Sequence, residues 1–258
     1  MEYNRAILFC DYGLDDAIAT LHILRHADMF GSIDVVPIGG NVSVETAYRN
    51  AHTLLAAADA DASKVRIVDT RAVKQPSANI PDIHGKDGIG DVLEQRTSDL
   101  TVIDFDAFRS ELKRVAQPSR DCVLSLGPCT IPNMLGYIPF CTVLMGGTYK
   151  EEPNCDGHEF NEAMDLQAFA SYAKTATAVA TLDTCHDKKF AFESFATGDP
   201  LADKLIERYR ALCIARSAPV AVYDYVAALA VTDPELFEAE RIRRDDGTEF
   251  NQLIYIGR

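Results

Sequence analysis

Short β-rich runs, several of them apolar almost throughout, recur along the chain at 5–10, 33–38, 65–69, 121–126, 140–146 and 177–182. A strand that alternated apolar and polar residues would have one wet face; continuous apolar runs demand cover on both faces, as in a parallel sheet. Amphipathic stretches near 16–28, 43–60, 106–116, 162–174, 200–216 and 219–230 supply that cover. Such alternation predicts an α/β fold, an open and mostly parallel sheet flanked by helices and joined by right-handed crossovers. Near the end, Asp245-Asp246-Gly247 lies between Arg241–Arg244 and Phe250–Ile256, the pattern of a hairpin. There is no internal repeat, low-complexity segment or linker, so residues 1–258 read as a single domain.

Composition narrows the partners. The chain carries 39 acidic against 25 basic residues, a net charge of −14, which argues against nucleic acid or an anionic membrane. No apolar stretch is long enough to span a bilayer, and the N-terminal segment lacks a signal-peptide layout. The seven cysteines are scattered, without C-x-x-C spacing, and read as reduced, mostly buried thiols of a cytoplasmic protein.

Ligands of open parallel sheets bind beyond the carboxyl ends of the strands. There the sequence is unusual. The first apolar run ends in Asp11-Tyr12-Gly13-Leu14-Asp15-Asp16 and passes at once into a helical pattern. Three crowded carboxylates repel one another, so a hard cation such as Ca²⁺ or Mg²⁺ is the natural counterweight. Taken alone, the trio could also be a helix N-cap with favourable dipole contacts. Other strand ends are equally marked: Gly39-Gly40-Asn41, Leu126-Gly127-Pro128 and Gly146-Gly147, together with the loop Ile83-His84-Gly85-Lys86-Asp87-Gly88. An aspartate-nucleophile phosphatase also runs a strand into Asp, but needs a second acid two residues on, where this chain has Gly13.

Taken together, Phe9-Cys10-Asp11-Tyr12-Gly13-Leu14-Asp15-Asp16-Ala17, Gly40-Asn41, His84-Gly85, Leu126-Gly127-Pro128, Leu144-Met145-Gly146-Gly147, Glu159-Phe160-Asn161, Asp183-Thr184-Cys185-His186 and Asp224 resemble the Ca²⁺-dependent, inosine–uridine preferring nucleoside hydrolases. The resemblance implies hydrolysis of the N-glycosidic bond of a free ribonucleoside through an oxocarbenium-like state. It implies Ca²⁺ held by Asp11, Asp16, the Leu126 carbonyl and Asp224, with Asp11 taking a proton from the attacking water. It places Asp15, Asn41 and Asn161 on the ribose, Glu159 and Asn154 at the 5′-hydroxyl, and Met145 and Asp224 on the substrate side. It also implies a homodimer or homotetramer. Two departures stand out. A histidine commonly precedes the late aspartate, where this chain has Tyr223, so leaving-group activation falls to Tyr223 or His84. Phe9 and Tyr12 replace the hallmark's first aspartate and its proline, and Tyr12 is expected to press its ring beside the site. The alternative is a protein of the same fold that binds Ca²⁺ and a ribonucleoside without turning it over. His22, His26 and His52 lie in helical patterns and are expected on helix flanks.

Overall fold

The computed structural model describes residues 2–116, 119–187, 190, 195–219 and 221–257. Its strands are β1 (Ala6–Cys10), β2 (Ile33–Pro37), β3 (Val65–Asp69), β4 (Thr101–Asp104), β5 (Cys122–Ser125), β6 (Cys141–Met145), β7 (Ala178–Ala180), β8 (Phe237–Arg243) and β9 (Glu249–Tyr255). All belong to one sheet, ordered β4-β3-β2-β1-β5-β6-β7-β9-β8. Every pairing is parallel except that of β8 with β9. The helices are α1 (Leu14–Arg25), α2 (Val44–Ala57), α3 (Pro81–His84), α4 (Phe105–Leu112), α5 (Thr130–Leu135), α6 (Phe160–Met164), α7 (Leu166–Ala173), α8 (Leu182–Cys185), α9 (Pro200–Arg216) and α10 (Tyr223–Thr232). No described helix is long and apolar enough to cross a membrane.

The apolar runs are buried on both faces, as their composition demands. Along β1, Ile7 and Phe9 pack with Phe105, Phe108 and Ile131 on one side of the sheet. Leu8 and Cys10 pack on the other, against side chains of α1, α2, α9 and α10. Each side chain so enclosed contributes about 1.5–3 kcal/mol. The amino ends of the strands close over an ion network. Arg5 donates twice to Asp121, at 3.2 and 3.0 Å, and once to Glu111, at 2.7 Å; Arg66 pairs with Asp34. The six expected strands are present within a residue or two.

Three local differences have clear causes. β4 escapes the apolar pattern because it is a four-residue edge strand and largely exposed. The helix expected over 162–174 breaks at Asp165, whose backbone leaves the helical region (φ −159°) while its side chain caps Ala168 N–H at 3.0 Å and accepts from Thr130 at 2.6 Å. The stretch 219–230 becomes helical only from Tyr223. The C-terminal hairpin is as expected, and β9 inserts it into the main sheet beside β7. All seven cysteines are unpaired, six of them buried.

Candidate active site

β1 sits in the middle of the sheet, so whatever follows it lies at the centre of the carboxyl-end rim. After Cys10 the backbone turns sharply, with Tyr12 in the left-handed region (φ 51°), and α1 begins. The turn is fastened by Asp16, whose carboxylate accepts Asp11 N–H at 3.1 Å and Gly13 N–H at 2.8 Å. Asp15 and Asp16 thus occupy the first turn of α1, where the helix dipole favours negative charge. Asp224 occupies the first turn of α10. Oxygens of Asp15, Asp16 and Asp224 converge to within 4.8 Å of one another.

This cluster is buried and, among the described residues, no lysine or arginine forms an ion pair with it. Burial, and then mutual repulsion, drive Asp16 and Asp224 well above the usual carboxylate range. The same causes raise Asp15 to about 7, and burial raises Asp11 to about 6. Asp15 Oδ1 is buried without a hydrogen-bond partner. Carboxyls gathered so that burial and repulsion oppose their ionisation, with one oxygen unused, fit a hard divalent cation, which would hold them in the charged form.

The neighbouring strand ends complete the rim. Behind β2, Asn41 donates to Asp11 twice, from its backbone N–H at 2.7 Å and its side-chain amide at 2.9 Å. Gly40 lies directly on Asp11, so a Cβ there would run into the carboxylate. Asn161 bridges the ends of β5 and β6, donating to the carbonyl of Leu126 at 2.9 Å and of Met145 at 3.3 Å. Glu159 caps α6, accepting from Asn161 and Glu162 N–H at 3.0 Å each and from Gly147 N–H at 2.9 Å. Burial nonetheless lifts its carboxyl to about 7.

His84 ends the single turn of α3. Its Nδ1 accepts Leu14 N–H at 3.1 Å, so the ring proton sits on Nε2 and Nδ1 has none to offer Asp15 Oδ1, 3.9 Å away. Burial also pushes this imidazole down to about 4. It is therefore a neutral donor at physiological pH, not a reserve of positive charge. Tyr223 O–H lies 3.2 Å from His186 Nε2, and His186 Nδ1 lies 3.0 Å from a Glu151 carboxylate oxygen.

These elements enclose a cavity of about 670 Å³, a size suited to a small organic ligand. Asp15, Asn41, His84, Leu126, Met145, Asn154, Glu159, Asn161, Tyr223 and Asp224 line it; Asp11 and Asp16 are fully buried and do not. The trio of converging carboxylates thus includes Asp15, which the resemblance gives to the sugar, and omits Asp11.

A sequence profile of the inosine-uridine preferring nucleoside hydrolases matches residues 6–249. The chain belongs to this family. It is similar to a non-specific ribonucleoside hydrolase (RihC) of Klebsiella pneumoniae subsp. pneumoniae, with 28% identity over 248 residues, covering 90% of this chain and 80% of that protein. A protein of the same name from Salmonella enteritidis is 32% identical over 173 residues, covering 64% of this chain and 55% of that one. Its fold matches a purine-preferring ribonucleoside hydrolase from Gardnerella vaginalis with a TM-score of 0.74, at 19% identity over 98% of this chain and 93% of that one. A plant nucleoside hydrolase matches with a TM-score of 0.73, at 20% identity over 96% and 86% of the two chains.

Within this nucleoside hydrolase, Tyr12 does not reach the site; its ring is fully buried in the core. The cavity wall also holds residues that the sequence reading passed over. Tyr209 and Cys213 share a face of α9, and Tyr209 stacks on His84 with ring centroids 5.8 Å apart. Their periodicity reads as ordinary helix core, so no signal singles them out. His186 was signalled, since it closes the Asp183-Thr184-Cys185-His186 motif. Asp183 itself accepts the backbone N–H groups of Tyr149 and Lys150, both at 2.8 Å, and so pins the loop that carries Glu151.

Proposed function

We propose that this chain hydrolyses the N-glycosidic bond of free ribonucleosides, releasing ribose and the base, with Ca²⁺ bound among its strand-end carboxylates. The observation that carries this reading is the convergence of Asp15, Asp16 and Asp224 on one another, with Asp15 and Asp224 in the cavity wall and one Asp15 oxygen unpartnered. Asp11, Asp16, Asp224 and the Leu126 carbonyl would hold the ion, leaving Asp15 to the ribose hydroxyls. When bound, a hard cation of this kind makes a nucleophile available at neutral pH and orients the sugar.

The protein's own groups supply the rest. Asp11 is raised to about 6 and is held in place by Asn41, so it is still mostly ionised near neutrality and basic enough to take a proton from the attacking water. Asp15, Asn41 and Asn161 stabilise positive charge as it develops on the ribosyl group. Glu159 is fixed by three backbone donors and faces the cavity, where it would bind a 5′-hydroxyl and repel a 5′-phosphate. The base would lie toward Ile80, Ile83, Tyr209 and Pro219, an apolar and aromatic wall. His84 would offer the leaving base only a neutral Nε2–H, and the Tyr223 hydroxyl, 3.2 Å from His186 Nε2, would be the second donor from the cavity wall.

A reducing-sugar assay over purine, pyrimidine and modified nucleosides, their 2′-deoxy forms and their 5′-monophosphates tests this, with and without chelator. Ribose release that requires Ca²⁺, falls at least tenfold without the 2′-hydroxyl and is absent for monophosphates is expected. Ca²⁺-dependent nucleoside binding with no ribose released from any substrate would instead identify a binding protein of the same fold.

A further inference from the structure

A second cluster of potential metal ligands, of different donor chemistry, lies at the opposite ends of the helices that carry the aspartates. His22 is in the last turn of α1, and His26 caps that helix. Four residues apart on a helix, the two imidazoles share one face, with ring centroids 4.5 Å apart. Asp233 caps α10. Nitrogen atoms of the two histidines and an oxygen of Asp233 all lie within 4.8 Å of one another, and the three residues are half-buried.

The group is already oriented. His26 Nδ1 lies 2.9 Å from the carbonyl oxygen of His22. A carbonyl only accepts, so the proton is on Nδ1 and Nε2 presents a free lone pair, the arrangement found in metal-bound histidines. The Thr232 hydroxyl sits 2.8 Å from His22 Nε2 and 2.7 Å from an Asp233 oxygen, bridging the two. Tyr225 packs edge-on against the His22 ring at 4.8 Å. A cavity of about 450 Å³ opens beside the cluster, with Thr197 on its wall and room for water to complete a coordination shell. Arg25 also borders this cavity, but its guanidinium pairs with Asp199 at 3.5 Å.

We propose that His22, His26 and Asp233 form a binding site for a borderline transition-metal cation of the Zn²⁺ class, separate from the all-oxygen aspartate cluster. Two imidazoles and one carboxylate are a donor set that Zn²⁺ favours, whereas Ca²⁺ and Mg²⁺ take oxygen. The ion would staple the carboxyl ends of α1 and α10 to each other. The amino ends of the same helices carry Asp15, Asp16 and Asp224, so the two sites lie roughly 10–15 Å apart along the helix axis.

The test is a binding measurement and needs no turnover. Full-length protein saturated with Ca²⁺ is titrated with Zn²⁺ against a chromogenic chelator, and with Co²⁺ as a spectroscopic probe. One Zn²⁺ per chain beyond the calcium, a raised melting temperature and a Co²⁺ spectrum without thiolate charge-transfer bands are expected. His26→Asn should weaken Zn²⁺ binding at least tenfold, and Asp233→Asn, which keeps an oxygen for Thr232, should weaken it as well. Both variants should melt like the parent in chelator; if His26→Asn does not, Asp233→Asn decides. Unchanged affinity in the variants, thiolate bands from the cysteines, or no binding at micromolar Zn²⁺ would overturn the assignment.

Discussion

Asp224→Asn separates the cost of the aspartate cluster from its purpose. The substitution keeps the shape of the side chain and removes one of three buried carboxyls whose oxygens lie within 4.8 Å of one another. At that separation two carboxylates repel by roughly 3 kcal/mol at an effective dielectric constant of about 20. Partial protonation of Asp15, raised to about 7, relieves some of this. At about pH 8, without metal, the variant should therefore be more stable than the parent by about 1–2 kcal/mol, or roughly 2–8 °C in Tm for a chain of this size. A carboxyl whose folded pKa exceeds its unfolded value contributes stability below the unfolded value and loses it as pH rises through the folded one. Metal-free parent should accordingly lose stability from about pH 4 to about pH 7, the window set by the raised values of Asp11 and Asp15, and the variant should lose less. Calcium should reverse the ranking, because binding at about a hundred times Kd stabilises the parent by about 2.7 kcal/mol and the variant by far less. Thermal unfolding of both proteins across this pH range, in chelator and in calcium, measures all three effects. An Asp224→Asn protein that melts below the parent in chelator, or that gains as much from calcium, would refute the reasoning.

Gly40→Ala would drive a methyl group into the Asp11 carboxylate, and hydrolysis should fall at least a hundredfold with secondary structure retained by circular dichroism. Tyr223→Phe should slow nucleosides about 10–100-fold while sparing p-nitrophenyl riboside, whose leaving group needs no proton; equal losses on both would make Tyr223 structural. Arg5→Met leaves Asp121 buried without a cation at the far end of the sheet, held only by the Tyr137 hydroxyl at 2.6 Å, and should cost about 3–5 kcal/mol in denaturant unfolding while leaving kcat/KM of the remaining folded enzyme unchanged.

The sheet and its rim were legible for different reasons. Strands buried on both faces announce themselves as runs that are apolar almost throughout, as β1, β5 and β6 do, and even β2 breaks only at Asp34. Edge strand β4 carries no such pressure and stayed invisible. At the rim, Asp11, Asp15 and Asp16 could be read because carboxylates at a strand-to-helix junction have few structural uses. Protonation states could not. His84 looks like a candidate acid in sequence, but a backbone donor 70 residues away, at Leu14, fixes its tautomer. Tyr12 was expected beside the site because it replaces a residue of the hallmark; a positive φ turns its ring into the core instead. The contribution of α9 depends on how a long helix docks, and nothing local to Tyr209 encodes that.

The position of α10 in the chain has a consequence for assembly. Six neighbouring strands, β4-β3-β2-β1-β5-β6, are complete once residue 145 has been made. A nascent chain of that length can lay down most of the sheet and already holds Asp15 and Asp16. Asp224 arrives some 80 residues later, bringing a further negative charge to a pocket that already repels it. Docking of α10 and insertion of β9 beside β7 close long loops, which makes them late steps in folding. Divalent cation, if bound at the cluster, should therefore act on the final stage of refolding, when α10 docks, and leave the early collapse untouched.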